Sequence, residues 1–183
     1  MNGVRLAFLD RDGTLIEPVV VDRRPRPIRS ATDLVLAPGA AEGCARLRRA
    51  GFHLILVTNQ PDVARGTATR SDVDAINALV VERLHLDMSL TCFHDDVDGC
   101  GCRKPLPGLL HDAALSYGVV PGRADVMIGD RWRDVEAGRA AGVRTVLIDR
   151  SYDEAIPHPP DAVVDSFDAA VVWVLESERA TAS

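Results

Sequence analysis

Apolar residues gather in six short runs, at positions 4–9, 52–57, 91–93, 125–128, 145–148 and 162–164, each followed by a polar residue or a glycine. Runs of this length, bounded in this way, read as buried strands. Between them the period of the pattern becomes helical. Ala40, Cys44 and Leu47 fall on one face, as do Val73, Ile76, Val80 and Leu84, and Leu109, Ala113 and Tyr117. Ser71 followed by Asp74 resembles the capping box of a helix start, and Gly51 and Gly118 fit helix exits. Strand and helix in alternation predict an α/β fold: a Rossmann-like parallel sheet with helices on both faces. A chain of 183 residues can bury roughly 70% of its extended surface in a single core. One domain over residues 1–176 is therefore expected, with 177–183 as a frayed tail.

Two stretches break the pattern. Residues 17–38 are rich in Pro and Arg and predict a long loop or short hairpin, and residues 93–107 are too polar and cysteine-rich to pack. The stretches from Thr14 to Ala40 and from Arg70 to Cys102 are used up by loop, helix and cysteine segment, which leaves no cap domain, so substrate selection falls to loops around an open site.

Composition narrows the partners. A net charge of −6 argues against a protein that tracks nucleic-acid phosphates, which carries a basic face; a small-molecule partner fits better. No run approaches the ~20 apolar residues that span a bilayer, and the apolar run at 4–9 is too short for a signal peptide. The expectation is a cytoplasmic protein that does not engage membranes, with nothing to demand more than a monomer.

The polar residues that follow the strands carry the chemistry. The first strand ends in Asp10-Arg11-Asp12-Gly13-Thr14, two carboxylates at i and i+2 with a glycine that permits a sharp turn. Ligands of open α/β sheets bind beyond the carboxyl ends of the strands, so both acids point into a site where a divalent cation would offset their repulsion. Thr58-Asn59-Gln60 ends the second strand, and Gly129-Asp130-Arg131 leads to a further acid at Asp134. Asp134 is read either as a helix-start acid favoured by the macrodipole or as a carboxylate standing behind a metal ligand. Arg103-Lys104-Pro105 places two cations just before a helix.

Cys92, His94, Cys100 and Cys102 lie within eleven residues. Three thiolates and an imidazole complete a tetrahedral zinc set with no position left for water, which makes the expected site structural. The remaining cysteine, Cys44, falls on the apolar face of its helix and is expected in the core. His53, His85, His111 and His158 show no ligand or triad spacing.

Taken in order, Asp10-Arg11-Asp12-Gly13-Thr14, Thr58, Lys104, and Asp130 with Asp134 resemble the four motifs of the haloacid dehalogenase-like (HAD-like) phosphohydrolases. Within that superfamily the segments Leu9 to Leu15, Thr58-Asn59-Gln60, Ala64-Arg65-Gly66 and Cys100 to Pro105 are similar to the heptose bisphosphate phosphatases and the related histidinol-phosphate phosphatases. The resemblance implies a magnesium-dependent phosphomonoesterase. Asp10 would be the nucleophile that forms an aspartyl phosphate, and Asp12 the acid and then the base. Thr58 and Lys104 would hold phosphoryl oxygens. Magnesium would rest on Asp10, the Asp12 carbonyl and Asp130, and Asn59, Gln60, Arg103 and Arg131 would contact substrate. The substrate implied is a small phosphate ester, foremost the 7-phosphate of D-glycero-manno-heptose 1,7-bisphosphate, with histidinol phosphate as the alternative. A third reading, from another class, is a catalytically silent zinc-stabilised binding module, against which intact Asp10 and Asp12 weigh. The resembled enzymes carry a longer loop between the cysteine pairs and a Gly-Tyr pair after the first motif. Here Arg23, Arg24, Arg26 and Arg29 occupy that stretch, as a solvated loop face or as forks for an anionic substrate end.

Overall fold

The computed structural model describes residues 3–26, 28 and 30–181, with backbone alone for residues 24–26 and 181. The elements run β1 (Arg5–Leu9), β2 (Val19–Val21), β3 (Arg24–Arg26), α1 (Ala40–Arg49), β4 (Phe52–Asn59), α2 (Arg70–Leu84), β5 (Met88–Cys92), α3 (Gly108–Ser116), β6 (Val126–Gly129), α4 (Trp132–Ala140), β7 (Arg144–Ile148), β8 (Ala162–Val164) and α5 (Phe167–Thr181). Six strands form one parallel sheet in the order β5-β4-β1-β6-β7-β8, and β2 and β3 pair as a separate antiparallel hairpin. The order of the main sheet reverses at β1, the arrangement that opens a crevice beyond the strands' carboxyl ends.

Strand alternation divides the core into two layers. Ala7, Leu9, Leu54, Leu56, Val126, Ile128, Val146 and Ile148 face α1, α2 and α5, whose Leu47, Val80 and Phe167 close over them. Leu6, Phe8, Ile55, Val57 and Met127 face the other way, onto Leu109, Leu110 and Ala113 of α3 and Ala137 of α4. Each large side chain buried this way contributes about 1.5–3 kcal/mol, and cutting one such as Leu47 to alanine costs about 2–5 kcal/mol. Cys44 lies in this core, completely buried, and burial pushes its thiol up to about 12.

Three features differ from those read along the chain. The third strand occupies Met88–Cys92 rather than 91–93, because it pairs with β4 from Ile55↔Met88 to Asn59↔Cys92. Its half-buried residues do not form a continuous apolar run. Helix α2 is capped by Thr69 rather than by Ser71: Thr69 is extended, its Oγ1 accepts from Asp72 N at 3.1 Å, and Ser71 already lies inside the helix. The tail is not frayed from residue 177, since α5 continues through Thr181. Arg144 holds its last turns by donating to Ser177 Oγ at 2.7 Å and pairing with Glu178 at 2.6 Å. The 17–38 stretch contains the β2–β3 hairpin and a 3₁₀ turn at Ala31–Asp33. Arg29 lies outside the described residues, as do residues 182–183. Among the described residues no helix is long and apolar enough to cross a membrane.

Candidate active site

The register of the sheet assembles the site. Leu9 pairs with Leu56 on one side and Ile128 on the other, and Asp10 N donates to Ile128 O at 3.0 Å, one step beyond the end of β1. Asp10 therefore stands between Thr58 at the end of β4 and Asp130 just after β6. Lys104 arrives from the loop after β5. Its Nζ donates to Asp10 Oδ1 at 2.6 Å and to Val57 O at 2.8 Å, and it pairs with Asp134 Oδ1 at 2.6 Å. Asn59 clamps the Lys104 backbone from both sides, donating to its carbonyl at 2.9 Å and accepting from its amide at 3.1 Å.

Charge in this cluster is unbalanced. Carboxylate oxygens of Asp10, Asp130 and Asp134 lie within 4.8 Å of one another, all three residues are buried, and the Lys104 ammonium meets Asp10 and Asp134. Burial, followed by the charges of Asp10 and Asp134, holds the Asp130 carboxyl well above the ordinary carboxylate range. Burial also raises Asp134, to about 6, although Lys104 acts against it. Burial alone would lower Lys104, but Asp10 and Asp134 more than offset this and hold the ammonium above its ordinary value. Asp130 Oδ2 accepts from Tyr152 at 2.8 Å, while Asp130 Oδ1 is buried without a hydrogen-bond partner. A buried carboxylate oxygen left bare beside two other acids fits a hard divalent cation. Gly13 leaves room for the Asp130 carboxylate: at φ +80°, a Cβ there would meet Asp130 Oδ2 at 1.8 Å.

A second set of bonds holds Asp12. Gln60 Nε2 donates to Asp12 Oδ2 at 3.0 Å and to Thr58 Oγ1 at 2.9 Å, and Arg11 Nε donates to the same Asp12 oxygen at 3.0 Å. The cleft above has a volume of about 310 Å³ and is lined by Asp10, Asp12, Thr58, Asn59, Gln60, Arg103, Lys104, Asp130, Arg131 and Asp134. All ten of these residues, singled out along the chain, thus line one space. Their side chains are differently committed. Asn59 and Gln60 spend their amides on Lys104, Asp12 and Thr58. Arg103 donates to Asp96 Oδ1 at 2.8 Å, and Arg131 donates to Glu154 Oε2 at 2.8 Å. Asp134 accepts from Arg131 N at 3.1 Å, the place of a helix-start acid at α4, and pairs with Lys104 through its other oxygen.

At the mouth of the cleft the cysteine loop folds back on itself. Cys102 Sγ lies 3.2 Å from Cys92 Sγ and 3.5 Å from Cys100 Sγ, Cys92 and Cys100 are 3.7 Å apart, and His94 Nδ1 is 3.3 Å from Cys102 and 3.6 Å from Cys92. A zinc–sulfur bond of about 2.3 Å implies tetrahedral edges of roughly 3.8 Å, so the spacing of these donors fits a zinc ion. All four cysteines are free thiols. Arg103 Nη1 donates to His94 O at 3.4 Å, which ties this loop to the cleft.

The sequence and the fold can both be compared with known proteins. Residues 101–170 match the HAD-hydrolase-like family model. The D-glycero-beta-D-manno-heptose-1,7-bisphosphate 7-phosphatase of Bordetella bronchiseptica is 34% identical over 154 residues, 79% of this chain and 80% of its own length. The chain belongs to the HAD-like phosphatase family. A second relative of this HAD-like phosphatase, the D-glycero-D-manno-heptose-1,7-bisphosphate 7-phosphatase of Chlorobaculum tepidum, is 33% identical over 84% of this chain and 83% of that one. The crystal structure of the B. bronchiseptica D,D-heptose 1,7-bisphosphate phosphatase, complexed with magnesium and phosphate, superposes with a TM-score of 0.79 at 30% identity. It covers 95% of this chain and 99% of that one.

Several residues around the cleft of this HAD-like phosphatase gave no signal in the sequence. Tyr152, bonded to Asp130, and Arg150, which donates to Gly13 O at 3.0 Å, lie in coil after β7 with no periodic or motif context. Asp96 and Arg133 add to the lining from two further segments. Of the arginines after the first motif, Arg23 donates to Ser151 O at 3.2 and 3.3 Å.

Proposed function

We propose that this HAD-like phosphatase hydrolyses D-glycero-D-manno-heptose 1,7-bisphosphate, removing the 7-phosphate through an aspartyl phosphate on Asp10. The observation that carries the mechanism is the Lys104 ammonium 2.6 Å from Asp10 Oδ1 at the carboxyl edge of the sheet. A carboxylate can attack a phosphate dianion only where cations drain charge from the phosphoryl oxygens. Lys104 occupies Oδ1 and leaves Oδ2 to attack phosphorus. Thr58 Oγ1 and Lys104 Nζ receive the phosphoryl oxygens as charge shifts onto them. Asp12 donates a proton to the departing sugar alkoxide, and in the second half-reaction it takes one from the water that hydrolyses the acyl phosphate. Two carboxylates so close can share these roles because one is held by Lys104 and the other by Arg11 and Gln60.

Magnesium fits the donor set of Asp10 and Asp130, whose buried Oδ1 accepts from no protein donor; when bound, it would neutralise phosphoryl charge. Asp134 would stand behind it, tied to Lys104. Zinc fits Cys92, His94, Cys100 and Cys102, where it would brace the loop that delivers Arg103 and Lys104. Arg103 and Arg131 would meet the anionic far end of the substrate, Arg103 after exchanging its bond to Asp96.

The substrate reading is supported by the names and coverage of the relatives, and a kinetic panel tests it. Heptose 1,7-bisphosphates of both anomers, histidinol phosphate and simple sugar phosphates are ranked by kcat/KM with magnesium, and the product is examined for a retained 1-phosphate. A heptose bisphosphate is expected first. Histidinol phosphate ranking above both anomers would overturn the substrate and leave the aspartyl-phosphate chemistry standing.

A further inference from the structure

Arg11, the position between the two motif aspartates, is the largest completely buried side chain among the described residues. It does not reach into the cleft. Its guanidinium runs beneath Asp12, with Nε donating to Asp12 Oδ2 at 3.0 Å, Nη2 reaching Oδ1 at 3.4 Å, and Nη1 donating to Asn77 Oδ1 at 2.8 Å. Asn77, itself buried on α2, donates through Nδ2 to Thr91 Oγ1 at 2.9 Å near the end of β5. That bond fixes the amide so that its oxygen, the acceptor, faces Arg11. A chain of bonds therefore runs from β5 through α2 to the motif loop, and it ends on Asp12.

The arrangement is costly unless it serves the site. Withdrawing a guanidinium from water into a core is unfavourable, and an apolar residue of similar volume would fill the space with less loss. Arg11 and Gln60 both donate to Asp12 Oδ2, whereas Oδ1 receives only the longer contact from Nη2. With Oδ2 occupied by two donors, the proton that Asp12 exchanges belongs on Oδ1. We infer that Arg11, anchored by Asn77, is a positioning residue for Asp12. It locks the carboxylate's rotation so that Oδ1 is the oxygen that gives a proton to the leaving alkoxide and later takes one from water. This inference rests on the phosphatase reading above.

Leaving-group dependence separates this role from a merely structural one. A sugar alkoxide needs a proton as it departs, whereas p-nitrophenol is acidic enough that its phenolate leaves as the anion. kcat/KM reports the step up to formation of the acyl phosphate, so misplacing the acid should slow the sugar phosphate selectively. The expected loss for Arg11→Met is about 100-fold on heptose bisphosphate, or on the alkyl phosphate the panel ranks first, with p-nitrophenyl phosphate held within about fivefold. Arg11→Lys, which keeps the charge but loses the fork, should fall between wild type and Arg11→Met. Asn77→Ala leaves Arg11 in place and removes its anchor; it reads the same ratio should Arg11→Met not fold, as judged by thermal unfolding. Equal losses on both substrates in folded variants, or no loss on either, would overturn the role of Arg11 while the phosphatase stands. A wild-type protein inert toward every ester in the panel would sink the phosphatase reading and this inference together.

Discussion

Lys104 and Asp10, 94 residues apart in the chain, meet at 2.6 Å beyond the carboxyl end of β1, and the same ammonium lies 2.6 Å from Asp134. One buried cation thus links the expected nucleophile to the first turn of α4. It also sets the local hydrogen-bond pattern, because an oxygen of Asp10 engaged by Lys104 cannot also attack.

Asp10→Asn should abolish turnover and leave the fold intact, since the amide keeps the shape of the carboxylate but forms no acyl phosphate. Quenched-flow trapping of a phosphorylated protein, present in wild type and absent in the variant, checks it. Activity within about tenfold of wild type would remove Asp10 from the nucleophile's role.

Metal-free protein should lose stability as pH rises from about 4 to about 6. Asp134 is held up at about 6 in the folded protein, against an ordinary value of 3.8, and Asp130 is raised as well. Over that window the folded state binds more protons than the unfolded chain, so deprotonation favours unfolding. Thermal melts in EDTA should show Tm falling by on the order of 5 °C across the window, and magnesium should flatten the trend. A Tm that rises over the same range in EDTA would contradict the charge imbalance described for this cluster.

Gly13→Ala should damage the cation site more than the fold's core. The new methyl would meet Asp130 Oδ2, and the backbone at φ +80° disfavours any side chain. Magnesium affinity, read by calorimetry, is expected to drop by at least about tenfold, with a stability loss of roughly 1–2 kcal/mol from the backbone strain. Unchanged affinity would mean that Asp130 moves aside freely.

Zinc should co-purify at about one equivalent per chain and survive mild EDTA that strips magnesium and halts catalysis. Cys100→Ser should lower Tm first and activity second, because it loosens the loop that carries Lys104. Metal analysis without zinc, in protein never exposed to chelator, would leave the Cys92, His94, Cys100 and Cys102 cluster as plain thiols.

Arg103→Ala should raise KM more than it lowers kcat, since its guanidinium lines the cleft while Lys104, its neighbour, touches Asp10. Steady-state kinetics on the bisphosphate checks this, and a loss confined to kcat would place Arg103 in the chemistry instead.

The strand ends were legible along the chain because burial on both faces of a parallel sheet forces continuous apolar runs, and the first polar residue after each run must emerge at the sheet's edge. That logic reached Asp10, Thr58 and Asp130, and the close spacing of Cys92, His94, Cys100 and Cys102 reached the second cluster. It did not reach β5, whose half-buried residues show no unbroken apolar stretch, or the last turns of α5, whose order depends on Arg144 from a different strand. Nor could it tell that Asn59 and Gln60 would turn their amides inward, or that Tyr152 would cover Asp130. Local sequence determines which residues end each strand, because that follows from backbone period and burial. Which side chains then bond to one another is decided by segments far apart in the chain converging on the switch point, so only the tertiary structure decided that Lys104 grips Asp10 and that Arg11 underlies Asp12.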